Sequence, residues 1–219
     1  VEMLYKNGAQ IIQKPFSVGA RIEHPQKLID KAQYGAFAGH PKLGAADYKL
    51  SCHGLHQRGA YTFCMCPGGT VVAAASEKGG VIVNGMSTLA RDGENANSAL
   101  LVGIDPVDFP SEHPLAGMYY QREIEQNAFA LGGGDYRAPA QLVGDFLADR
   151  ESRALGNVQP TCPTGVTLTN LRYCLPDKVR TTMQAAITEM DKRLHGFALP
   201  DAVLTACLLY TSPSPRDRS

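Results

Sequence analysis

The sequence carries no surplus of either charge: 21 Lys and Arg stand against 21 Asp and Glu. With no basic excess and no basic run, nothing suits a nucleic-acid backbone or an anionic membrane surface, and neither is an expected partner. No apolar run reaches the roughly 18 residues that a membrane-crossing helix needs. The first residues, VEMLYKNGAQ, lack the long apolar core of a secretory signal peptide. The six cysteines, Cys52, Cys64, Cys66, Cys162, Cys174 and Cys207, are too irregularly spaced for a disulfide framework, and the chain is not small. Reduced thiols in a cytoplasm are therefore expected. Several catalytic fingerprints are also missing. No Gly-x-Gly-x-x-Gly follows a strand and opens a helix, and there is no P-loop, no Gly-x-Ser-x-Gly elbow and no His-Glu-x-x-His.

What is there suffices for a sizeable core: 219 residues, 44% of them apolar. Residues 2–7 read as the end of a helix closed by Gly8. In FSVGARIE, Val18, Ala20 and Ile22 share one face, while Ser17, Gly19, Arg21 and Glu23 share the other. Pro25 then opens a short helix. From 48 to 104 the pattern is β, with candidate strands at 48–52, 60–66, 70–76, 81–84 and 99–104. The first three links carry Gly and Pro turn chemistry, and links so short join antiparallel neighbours. TVVAAAS is apolar on both faces, so a sheet covered on both sides is expected. After Pro114 helices are expected. Tyr120, Ile124, Ala128 and Leu131 recur at helical spacing before a Gly-Gly-Gly stop, and a second helix is expected over 138–147. Residues 149–165 read as an irregular connection. Val179, Met183, Ile187, Met190 and Leu194 stripe a last helix begun by Asp177. The expected class is α+β: a largely antiparallel sheet, read as a meander, then a helical region. The expected divisions are a β-rich portion 1–114 (sheet about 48–104), a helical portion 115–206, and a tail 207–219. That tail, CLLYTSPSPRDRS, resembles a translated sequencing adaptor and is expected to be non-native. With Val1 in place of Met, the chain is expected to be the middle of a longer protein.

Chemistry concentrates in two stretches. In FCMCPGG, regular alternation puts Cys64 and Cys66 on one face. A redox pair needs a nearby cation or helix N-terminus, for which the local sequence offers only Arg58 and His56. Zinc would need a second pair at matching spacing, so no metal site is expected. Buried structural thiols are the alternative. Gly68 and Gly69 fit either a plain turn or the close approach of a ligand to backbone. Asn84, Ser87 and Arg91 belong to a polar cluster that runs on to Asn95–Ser98. It fits either a polar-ligand site, with Arg91 for a carboxylate or phosphate, or a self-capping loop. Arg21 and Glu23 can pair with each other, and each of the six histidines reads as a loop residue.

Longer words point further. KPFSVGARIEHPQKLID, YTFCMCPGGTVVAAASE, NGMSTLARDGENANSAL, FALGGGDYRAPAQLVGDFL and PDAVLT, in order over 1–205, resemble bacterial FAD-dependent dehydrogenases, the NAD(P)/FAD-dependent oxidoreductases. The resemblance implies FAD in a full-length parent, with NAD(P)H or an organic compound as electron donor. It implies an upstream Rossmann segment and a downstream segment that together complete the flavin site. This chain is then the substrate-side portion, inactive and without retained FAD on its own, with the missing segments and an unknown small molecule as partners. Gly68, Gly69, Asn84, Ser87 and Arg91 become candidate cofactor- or substrate-binding residues, and Cys64 and Cys66 weak catalytic candidates. Cys162 stands where the family has an aromatic, which counts against a required role for that thiol. A different class of reading is a cofactor-free module that binds a ligand or partner. A third, a thiol-based redox protein, rests on Cys64 and Cys66 alone.

Overall fold

The computed structural model describes residues 1–210. A short helix, α1 (Glu2–Lys6), leads to strand β1 (Phe16–Pro25) and helix α2 (Gln26–Tyr34). Strands β2 (Ser51–Leu55), β3 (Arg58–Cys66), β4 (Gly69–Ala73), β5 (Val83–Ser87) and β6 (Asn95–Ile104) follow. Then come α3 (Ala116–Gly132), β7 (Ala138–Leu142), α4 (Val143–Leu147), β8 (Val166–Leu168), α5 (Asp177–Asp191) and β9 (Val203–Tyr210).

The architecture is α+β, with a mostly antiparallel sheet of seven strands ordered β2-β3-β6-β1-β9-β7-β8. Among the described residues only β7–β8 pairs parallel. The order is not the sequential one that short links suggest. After β3 the chain reaches Pro67, which has no N–H to donate, and Gly68, whose φ of +49° turns the backbone into the left-handed region. It leaves the large sheet there, and β4 pairs with β5 as a separate two-stranded sheet. The expected cover on both faces of TVVAAAS is not found: Val71 is buried and Val72 half-buried, but Ala73 to Ser76 are exposed.

Strand β1 is central. Its apolar face, Val18, Ala20 and Ile22, is wholly buried with Leu100 and Val102 of β6 in a core shared with the α5 stripe. Val179, Met183, Ile187 and Met190 repeat every three or four residues, and all are fully buried. Helix α3 follows its expected spacing, with Ile124 and Ala128 inward and Gly133 (φ +109°) as a left-handed cap. Fully burying side chains of this size contributes about 1.5–3 kcal/mol each.

Two local expectations fail. Residues 138–147 are not one helix. Ala138 precedes a proline, which disfavours helical backbone there. Residues 138–142 form β7, with Ala140 opposite Thr205 of β9, and only then does α4 begin. Asn95 to Ser98 are not a loop: they are the first four residues of β6, and all four are buried. The seven-stranded sheet draws strands from both sides of residue 114. The adaptor-like stretch enters the structure only through the end of β9, where Cys207 and Leu208 are buried; residues 211–219 lie outside the described residues.

Candidate functional site

The second face of β1 is polar, and the β4–β5 hairpin lies over it. Arg21 stands opposite Ala99 of β6 and Thr205 of β9, and is fully buried. Its Nε donates to Asn97 Oδ1 at 3.0 Å, and its Nη2 to the Cys64 carbonyl at 2.9 Å, to Cys66 Sγ at 3.4 Å and also to Asn97 Oδ1. Arg21 Nη1, Asn97 Nδ2 and Thr205 Oγ1 are buried with no hydrogen-bond partner. Strand β5 rests directly on the guanidinium because position 85 is glycine: a Cβ there would overlap Arg21 Nη2 and Asn97 Oδ1.

The expected Arg21–Glu23 pair does not form. Glu23 points to other donors: the Thr161 hydroxyl at 2.6 Å, the Thr161 N–H at 3.2 Å and the Asn95 amide at 3.2 Å. Burial pushes the Glu23 carboxyl above its ordinary range, and these donors and Arg21 only partly offset it. His24, next along, is not a loop residue. It is fully buried, its Nε2 is 2.8 Å from the Phe197 carbonyl oxygen, and burial pulls it down to about 4. It is neutral at physiological pH and placed for packing.

Cys64 and Cys66 do not share a face. Phe63 lies opposite Ala99 and Cys66 opposite Asn97, three steps on β3 against two on β6. The extra residue is a β-bulge, which inverts the alternation beyond it. Cys64 takes φ +45° and is exposed, whereas Cys66 is buried against Arg21. The cation that local sequence did not supply thus comes from β1, 45 residues before Cys66 along the chain.

Gly68 and Gly69 are explained by the chain's own backbone. A Cβ at Gly68 would overlap the Arg91 carbonyl, and one at Gly69 would stand 2.5 Å from the Met86 carbonyl oxygen. Ser87 Oγ donates to the Pro67 carbonyl at 2.8 Å and ties the turn to β5. Asn84 is exposed on β5, and its Oδ1 accepts from the Gly85 N–H at 2.8 Å. Arg91 is exposed, with φ +52°, at the rim of a 580 Å³ cleft. Lys27 and Asp30 of α2, Glu94, Asn95, Asn157 and Gln159 share that cleft with it. Asn84 and Ser87 do not line it. The cleft draws on segments far apart in the chain, so no local motif announced it. Its one legible signal was the polar run from Arg91 to Asn95. Among the described residues no cluster of His, Cys, Asp and Glu could hold a metal ion, and no helix is long and apolar enough to cross a membrane.

Residues 15–208 match the family described as FAD-dependent protein, C-terminal domain-like, and the chain belongs to that family. An uncharacterized protein of Clostridium beijerinckii (strain ATCC 51743 / NCIMB 8052) is 51% identical over 216 residues. That match takes in 98% of this chain and 40% of the relative, so the chain spans about two fifths of the relative's length. The residues present fit a polar ligand such as the polar edge of FAD or of a substrate laid against it. The Arg91 guanidinium, which makes no side-chain bond among the described residues, fronts one cleft with Lys27, the carboxylates Asp30, Asp92 and Glu94, and the amides of Asn95, Asn157 and Gln159. The 67–69 turn is no cradle for the FAD pyrophosphate: its glycines pack against the Arg91 and Met86 carbonyls, and the Gly68 N–H is taken by Gln26 Oε1 at 2.7 Å.

Proposed function

We propose that this chain is the substrate-side portion of an FAD-dependent oxidoreductase, a dehydrogenase of the bacterial cytoplasm that draws electrons from NAD(P)H or an organic donor. The family match over 15–208 carries the reading. When bound, FAD supplies hydride transfer at its N5 position. This chain's part is to hold and orient. Arg91 and Lys27 offer positive charge to a carboxylate, phosphate or carbonyl oxygen beside the carboxylates of Asp92 and Glu94. Asn157 and Gln159, whose amide nitrogens bond Asp201 and the Gly156 carbonyl, offer their amide oxygens. Asp30 has an oxygen turned to the Gln26 amide and the Ala46 N–H, each at 2.8 Å, which fixes the loop behind the cleft. The β4–β5 hairpin closes the polar row of β1 from water and presents Asn84 outward.

The test is made on the full-length flavoprotein. Arg91→Ala is expected to leave the flavin's visible spectrum in place and to slow its anaerobic reduction by substrate about tenfold or more, through weaker binding. Unchanged binding and reduction would remove Arg91 and the cleft from the reading. The isolated chain is expected to lose FAD on gel filtration; stoichiometric yellow protein would place the whole cofactor site here and overturn it.

A further inference from the structure

Five of the six cysteines are buried and Cys64 is exposed. Burial pushes Cys174 up to about 12 and raises Cys207 and Cys52 as well, so these three thiols are poor nucleophiles. The Cys64–Cys66 pair is built differently. The Cys66 thiol donates to the Cys64 carbonyl oxygen at 3.3 Å, so its sulfur already lies back over residue 64. One guanidinium nitrogen, Arg21 Nη2, holds that same carbonyl and that same sulfur. The bulge leaves residues 64 and 65 out of the ladder register, and the Cys66 thiol interacts with the Cys64 side chain.

From this geometry we infer that Cys64 and Cys66 form a dithiol redox site that reduces small disulfides, with Cys64 as the attacking thiol and Cys66 as the resolving one. The Cys64 thiolate attacks one sulfur of the disulfide. A mixed disulfide forms, and half of the substrate leaves as a thiolate that takes a proton from water. Cys66 gives up its proton to solvent and attacks Cys64 Sγ. The second half leaves as a thiolate and is protonated in turn. The substrate's S–S bond is broken, the Cys64–Cys66 bond is made, and two electrons have passed from the protein to the two released thiols. Burial raises the Cys66 thiol above its ordinary range and the adjacent Arg21 charge only partly offsets it, so Arg21 is the positioning residue for the second step. A bridge between residues two apart is strained, and strained bridges are the readily reversed ones. The site stands whether or not the parent's cofactor reading holds.

The experiment uses the full-length protein, reduced, freed of reductant and exposed to glutathione disulfide, with peptide mass mapping. In the wild type the peptide carrying both cysteines is expected to lose two hydrogens, with two glutathiones released. Cys66→Ser is expected to stop halfway, with one glutathione held on residue 64, and Cys64→Ser to leave the peptide unmodified. A wild type that accumulates glutathione on Cys64 with Cys66 still free, or that reacts at neither, overturns the inference. The wild-type result is decisive by itself should either variant fail to fold.

Discussion

Arg21, under strand β5, and Arg91, in the loop that follows it, live in opposite surroundings. Arg21 is fully buried, has an amide, a carbonyl and a thiol as partners, and keeps one nitrogen unsatisfied. Arg91 is exposed at the rim of the cleft, and among the described residues its side chain makes no hydrogen bond or ion pair. The same side chain does different work in the two places. A buried guanidinium is expensive, and it persists only where the surrounding groups need its donors. An exposed and free one costs nothing to hold and is available to a ligand. The contrast divides the polar residues of this domain into a set that builds the sheet's second face and a set that can meet another molecule.

The largest effect that would break this contrast is expected from Gly85→Ala. The new methyl would overlap both Arg21 Nη2 and Asn97 Oδ1, so β5 must lift or the guanidinium must leave. A loss of about 3 kcal/mol is expected in urea unfolding. A loss below about 1 kcal/mol would show that the hairpin does not press on Arg21. Arg21→Met comes next. It strips the donors from Asn97 Oδ1 and the Cys64 carbonyl while removing a buried charge. The stranded acceptors should dominate, with a loss of about 2 kcal/mol. A gain in stability would mean that the uncompensated charge outweighs its hydrogen bonds.

How much of this was legible beforehand follows from the range of the forces involved. Alternation along β1 put Arg21 and Glu23 opposite Val18, Ala20 and Ile22, because a strand's period of two is local. The stripes of α3 and α5 were legible for the same reason, and the α+β class followed. The bulge at Cys64 was not. One inserted residue inverts the facing of everything beyond it, and that insertion is fixed by pairing with β6, some thirty residues further on. The partners of Glu23 were hidden too, since Thr161 comes from the long irregular connection. Residues 138–142 misled because a short apolar run suits a buried strand and a helix equally. Of the candidate site residues, Arg91 alone lines the cleft, and Gly68 and Gly69, which fitted either a turn or the approach of a ligand, pack against the chain's own backbone.

Glu23→Gln sharpens the buried half of the contrast. Burial raises the folded-state carboxyl above its unfolded value, so the native protein holds the proton more tightly. Across the window from the ordinary carboxylate value up to the raised one, the native state binds more protons than the unfolded state, and stability falls as pH rises. Urea midpoints over that range should show this slope in the wild type and lose it in the variant. At neutral pH the two should differ by about 1 kcal/mol at most, because glutamine keeps an acceptor for the Thr161 hydroxyl. A slope of the opposite sign in the wild type would mean that the Thr161 and Asn95 donors, with Arg21, outweigh burial.

The smallest effect on stability is expected from Arg91→Ala, and it is the informative one for function. No bond among the described residues is lost, and the side chain is in water, so the change should stay within about 0.5 kcal/mol. The backbone is a separate matter. Arg91 has φ +52°, and its carbonyl is packed against Gly68, so Arg91→Gly keeps the geometry while also removing the guanidinium. If Arg91 serves a ligand, both variants weaken substrate binding equally and leave the unfolding midpoint in place. If its role is only to shape the turn, Arg91→Gly retains full binding, and the division between building and meeting residues fails at its clearest member.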